Sequence, residues 1–192
     1  MTTGCEAPRA CAGVVLAGGG STRMGRDKAL LEYRGRTLLD HMLDVLHAAG
    51  FTPCLVSGSY PSRLCVPDAH PGRGPVSGLL SVAKALPSQR LVIVAVDMPH
   101  LDRALLQRLA NEAPDARCVR FAGCELPLRI DATRETLVAL STIFDREGRA
   151  RSLWAAEAAV DAVELSLSVQ EAPQLINCNT PSQWATALGV LT

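Results

Sequence analysis

The sequence predicts an α/β protein, a single three-layer domain (1–192) around a mostly parallel sheet, with residues 1–11 as a flexible N-terminus. Three observations predict it. Short β-like apolar runs alternate with longer segments of helical period, the pattern of βαβ units. The run Leu91 to Val96 is apolar without interruption, as a strand covered on both faces requires. A glycine-rich loop follows directly on the first run, and no repeat, linker or low-complexity stretch divides the chain.

Taken in order, Gly13 to Ala17 reads as the first strand. Thr37 then caps an amphipathic helix through Leu38, Leu39, Met42, Leu43, Val45 and Leu46, which stops at Gly50. Pro53 to Ser57 gives a second strand, and Pro75 stands where a first helical residue belongs, ahead of Leu79, Leu80, Val82 and Leu86. After the central strand, a helix runs from Asp102 to about Asn111. Arg117 to Phe121 and Cys124 to Ile130 form a hairpin across Ala122-Gly123. Thr133 to Phe144 and Leu153 to Val160 are helical, 163–177 carries no clear pattern, and a last helix starts at Pro181 with Thr180 as its cap.

Composition narrows the function. With 48% hydrophobic and 20% charged residues the chain can bury a core. The 19 basic and 19 acidic residues cancel, and only 4% is aromatic, which disfavours nucleic acid as a partner. No signal peptide or membrane span is evident, so the expected location is cytoplasmic. Seven cysteines without a C-x-x-C pair read as reduced packing residues rather than a zinc or disulfide framework.

The chemistry concentrates between Gly13 and Lys28, where a strand runs into Gly18, Gly19 and Gly20. Lacking Cβ atoms, these let backbone N–H groups approach a phosphate. Ser21 and Thr22 add hydroxyls, and Arg23 and Lys28 add positive charge. The spacing excludes two other phosphate loops. Arg26 stands where a Walker loop needs lysine, and Gly18, Gly20 and Arg23 fail the dinucleotide fingerprint. Asp97, at the carboxyl end of the central strand, either binds Mg²⁺ or caps the turn before Pro99; the phosphate loop on the same edge favours the metal. Asp68 holds a similar strand-end position before the segment 70–75, a loop over a sugar or base, or an ordinary surface turn.

The stretch Leu16-Ala-Gly-Gly-Gly-Ser-Thr-Arg-Met-Gly-Arg-Asp-Lys28 resembles the signature of nucleotidyltransferases, and its Leu-Ala-Gly-Gly form that of molybdenum cofactor guanylyltransferases. Gly74-Pro-Val-Ser-Gly-Leu79, Val96-Asp-Met-Pro-His-Leu101 and Asn177-Cys-Asn-Thr-Pro181 resemble the same family, in order, over nearly the whole chain. The resemblance implies a Rossmann-like sheet of the nucleotide-diphospho-sugar transferase type. It implies transfer of GMP from GTP to molybdenum-bound molybdopterin, with Mg²⁺ as cofactor, pyrophosphate as by-product, and cofactor-delivery proteins or molybdoenzymes as partners. By position, Leu16, Ala17, Gly18, Gly19, Gly20 and Ser21 hold the nucleotide, Lys28 and Arg23 its phosphates, Asp68 the nucleoside and Asp97 the metal. Ser57 stands where the family often has Asn, without the paired donor and acceptor of an amide. Arg149, Arg151, Asn177 and Asn179 are candidates for the pterin side; a solvated helix end and a helix cap explain them as well.

His41 and His47 read as solvent-side helix residues, and Trp154 and Trp184 as core anchors. A cytidylyltransferase using CTP and a non-catalytic nucleotide- or cofactor-binding protein stay open as alternatives. A dinucleotide-dependent oxidoreductase is disfavoured by the loop spacing.

Overall fold

The computed structural model of the chain describes residues 10–18, 27–147 and 152–188. The strands are β1 (Cys11–Leu16), β2 (Glu32–Tyr33), β3 (Arg36–Thr37), β4 (Cys54–Ser57), β5 (Cys65–Val66), β6 (Arg90–Ala95), β7 (Cys118–Phe121), β8 (Leu128–Asp131) and β9 (Val163–Leu165). The helices are α1 (Leu38–Ala48), α2 (Pro75–Ala85), α3 (Arg103–Asn111), α4 (Arg134–Glu147), α5 (Trp154–Ala158) and α6 (Pro181–Ala187). Seven strands form one sheet in the order β5-β4-β1-β6-β8-β7-β9, and β2 and β3 form a separate hairpin. Within the large sheet only β8 runs against the rest, antiparallel to β6 and β7.

The sheet separates two apolar layers. Leu38, Leu39, Met42 and Leu46 of α1 and Leu105, Leu106 and Leu109 of α3 cover one face with Val15, Val92 and Val94. Val76, Leu79, Val82 and Ala83 of α2, Leu140 and Phe144 of α4 and Ala156 of α5 cover the other with Val14, Leu55 and Ile93. Alternation along each strand sends successive side chains to opposite layers, and both faces are covered.

The helix ends follow the sequence closely. Thr37 accepts a hydrogen bond from the Asp40 amide, Asp102 from the Leu105 amide, and Thr180 with Gln183 forms a reciprocal capping box at α6. Pro75 opens α2, where its missing N–H costs nothing.

The second half shows three features that the sequence pattern did not supply. The β7–β8 hairpin turns through Gly123, but β8 begins only after Pro127, whose lack of an N–H removes it from a ladder. The patternless stretch supplies a parallel edge strand, β9, paired to β7. Arg129, in the middle of a buried strand, is fully enclosed and donates to the carbonyls of Ala110, Glu112, Ala113 and Ala116, closing the α3–β7 connection. No helix among the described residues is long and apolar enough to cross a membrane.

Candidate functional site

The chain passes from β1 through α1 to β4 on one side of β1, then crosses to β6 on its other side. The carboxyl ends of β1 and β6 therefore flank a topological switch point, where an open α/β sheet leaves a crevice for ligands. Leu16 pairs with Ala95 at this edge, and the Val96 amide donates to the Leu16 carbonyl at 3.2 Å. Asp97 follows, its side chain 14% exposed.

Three distant segments meet here. The Lys28 ammonium, on the one-turn 3-10 helix Lys28–Leu30, donates to Asp97 Oδ2 at 2.9 Å and to Asn179 Oδ1 at 2.7 Å. An ammonium has three N–H donors, and these two described acceptors take two of them. The segment carrying Asn179 is pinned beside Asp97 by the Cys178 amide, which donates to the Asp97 carbonyl at 2.8 Å. Gln183 Oε1 accepts from the Asn179 and Thr180 amides, so the cap of α6 also fixes Asn179. Asn179 thus stands with the lysine, whereas Asn177 is exposed and makes no such contact.

The nucleoside candidates lie along the same edge. Ser57 ends β4 and is buried, and its carbonyl accepts from the Ala17 amide at 3.2 Å. Its hydroxyl faces Gly78 of α2 so closely that a Cβ there would lie 2.6 Å from Oγ. Glycine at 78 is what allows α2 to sit against the end of β4. Asp68 lies beyond β5, where its carboxylate accepts from the Ser77 hydroxyl and the His70 amide. It ties the 68–74 loop to the first turn of α2. The loop also leans on α4, with the His70 ring 5.0 Å from that of Phe144 and the Arg73 guanidinium 5.1 Å from it. Gly19, Gly20, Ser21, Arg23, Arg149 and Arg151 lie outside the described residues.

Two sequence expectations are corrected. His41 is not on a solvent face: its Nε2 donates to the Pro99 carbonyl at 3.0 Å, its ring packs on Tyr33, and burial lowers its pKa. That contact joins α1 to the loop after Asp97. Trp154 is no core anchor but is 40% exposed, stacked on the Arg120 guanidinium at 4.1 Å, because α5 is only five residues long and lies at the end of the sheet. Trp184 does pack on the core, against Tyr33. Of the six described cysteines four are buried. Burial raises the Cys54 pKa to about 11 and Cys118 to about 12, so these thiols pack rather than react.

Sequence reasoning missed Tyr60. Its hydroxyl lies 3.1 Å from the Ala17 carbonyl and 3.0 Å from Asp27 Oδ2. A lone tyrosine in a loop gives no signal of a contact 33 or 43 positions away.

A mostly parallel sheet whose switch point holds a lysine, a carboxylate and an amide presents a polar crevice at the edge where such folds bind ligands. Residues 13–162 match the MobA-like NTP transferase domain, and the chain belongs to that family. A molybdenum cofactor guanylyltransferase of Xanthomonas euvesicatoria pv. vesicatoria (strain 85-10) is 44% identical over 177 residues, covering 90% of this chain and 92% of that one. Molybdopterin-guanine dinucleotide biosynthesis protein A from Archaeoglobus fulgidus shares the fold with a TM-score of 0.75 at 20% identity, over 93% of this chain and 97% of that chain. So does 2-C-methyl-D-erythritol 4-phosphate cytidylyltransferase from Thermus thermophilus, with a TM-score of 0.67 at 14% identity, over 92% and 96%. The fold is therefore common to proteins named for different nucleotides.

Proposed function

We propose that the chain is a guanylyltransferase that moves GMP from GTP to molybdenum-bound molybdopterin, releasing pyrophosphate. The convergence of Lys28, Asp97 and Asn179 at the switch point carries the reading, and the full-length similarity to a curated guanylyltransferase supports the choice of substrates.

The terminal phosphate of the pterin is already an anionic nucleophile, so the protein needs no general base. A pterin phosphate oxygen forms a bond to the α-phosphorus of GTP while the bond from that phosphorus to the bridging oxygen breaks, and pyrophosphate leaves. The third N–H of Lys28 meets charge growing on the leaving group, at a position fixed in advance by Asp97 and Asn179. Ser57 and Asp68 border the nucleoside end, with Leu16, Ala17 and Gly18 beneath it.

The donor set suits Mg²⁺, which takes one or two protein carboxylates and completes its shell with water and phosphate oxygens. Asp97 provides one: Lys28 occupies Oδ2, and Oδ1 accepts no hydrogen bond from a described residue. No group of three or more acidic, histidine or cysteine ligands is found among the described residues, so a site closed by protein alone is not what this edge offers. When bound, Mg²⁺ supplies neutralisation of the triphosphate charge.

The expected outcome for Asp97→Ala is loss of Mg²⁺-dependent pyrophosphate release with an unchanged circular dichroism spectrum and melting profile. Pyrophosphate release near the parent rate refutes the role given to Asp97.

A further inference from the structure

We infer that Tyr60 is a positioning residue for nucleotide binding, its hydroxyl setting the distance between the carboxyl end of β1 and the turn that carries Lys28. The inference rests on the nucleotidyltransferase reading and deepens it.

Two described parts of the chain assigned to the nucleotide are Leu16 to Gly18 and Lys28. Tyr60, in the β4–β5 connection, touches both of their flanks: the Ala17 carbonyl at 3.1 Å and Asp27 Oδ2 at 3.0 Å. Asp27 is in turn the cap of the Lys28 turn, its Oδ1 accepting from the Ala29 amide at 3.0 Å. One carboxylate therefore holds the turn with one oxygen and Tyr60 with the other. Any slack between Tyr60 and Asp27 is passed to Lys28, one residue on.

Tyr60 is itself immobilised. Its amide donates to Cys65 Sγ, and that thiol donates back to the Tyr60 carbonyl, both at 3.4 Å. Its ring covers Gly58, where a Cβ would lie 2.9 Å from Cε2, and Gly58 has φ of +148°. Glycine is required there on both counts. The ring is thus a fixed post, and the hydroxyl at its tip is the part that reaches the site. A phenol has one hydrogen and here faces two acceptors, so it is shared between them. Burial first, and then Asp27, hold its pKa above the ordinary tyrosine value, so the phenol keeps the proton it shares.

Tyr60→Phe removes the hydroxyl and leaves the post. Contacts to the bound triphosphate can still re-form, but the ordering of the Lys28 turn is now charged to binding. The expected result is a KM for GTP raised about three- to tenfold with kcat within about twofold of the parent, comparable to the net worth of one ordinary hydrogen bond. Direct titration of GTP and Mg²⁺ onto the parent and the variant gives the same ratio in Kd. Asp27→Asn combined with Tyr60→Phe weakens binding by less than the product of the two single effects, since both cut one link.

An unchanged KM and Kd in Tyr60→Phe overturns the inference. So does a lower kcat at unchanged KM that tracks a lower melting temperature, since that is what mere structural support produces. A parent chain that binds GTP and releases pyrophosphate while Tyr60→Phe matches it removes only the role of Tyr60. A parent that binds no GTP removes the nucleotidyltransferase reading as well.

Discussion

Replacing Glu157 by Gln should alter how stability depends on pH, by an amount the structure sets. Glu157 is 2% exposed, and neither of its carboxylate oxygens accepts a hydrogen bond. Arg120 Nε lies 3.1 Å from Oε2, yet that N–H also lacks a hydrogen-bond partner, so the pair attracts by charge without alignment. Arg120 is divided among Glu157, Glu164 and the Trp154 ring. Desolvation therefore outweighs Arg120, with Glu125 and Glu164 adding in the same direction, and the Glu157 pKa rises from 4.5 to about 7. The folded state thus holds this proton more tightly than the unfolded state does. Its contribution is complete below pH 4.5, declines as pH rises through about 7, and is gone above that. At about 1.4 kcal/mol for each tenfold change in proton affinity, the whole decline is about 3 kcal/mol. Urea unfolding of the parent and Glu157→Gln between about pH 5 and 8.5 reads the difference directly, because titrations elsewhere cancel. The Gln variant should gain on the parent as pH rises to about 7 and hold that gain above it. A constant difference across the range refutes the account of Glu157.

Gly78→Ala should destabilise the fold by about 1–3 kcal/mol, because the new Cβ would lie 2.6 Å from Ser57 Oγ. Adding Ser57→Ala should restore most of that loss, since the next contacts, Leu16 Cδ2 and Ser57 Cβ, are both at 3.7 Å; thermal melts of the single and double variants check both. Lys28→Ala should lower kcat by about a hundred- to a thousandfold, the scale for removing one preorganised donor to developing charge. Steady-state pyrophosphate release measures it, and a loss confined to KM contradicts the role given to that ammonium.

What the sequence made legible was local. Thr37, Asp102, Thr180 and Pro75 mark helix starts through bonds that reach only a few residues, so their patterns survive in one dimension. The unbroken run before Asp97 located the central strand, and strand ends locate ligands in this architecture. What stayed hidden depends on separation. Tyr60 meets Ala17 and Asp27 only because β4 lies beside β1, and Asn179 reaches Lys28 across 151 positions. Arg129 meets its four carbonyl partners 13 to 19 positions away, across the α3–β7 connection. Trp154 illustrates the reverse: a large apolar side chain implies burial, yet its place at the sheet margin leaves it half covered by an arginine. The parallel pairing of β9 had no signal either, since its three residues alternate too briefly to show a period.

The reaction proposed for the Lys28–Asp97–Asn179 edge is the transfer of a guanylyl group. Its most direct test is pyrophosphate release by the parent chain with each of the four nucleoside triphosphates, in Mg²⁺, with and without molybdenum-loaded molybdopterin. Release is expected with GTP and only with the loaded pterin, and little is expected with CTP, ATP or UTP. Preferential release with CTP contradicts the guanylyl assignment, and GTP binding with no release from any nucleotide contradicts nucleotidyl transfer itself.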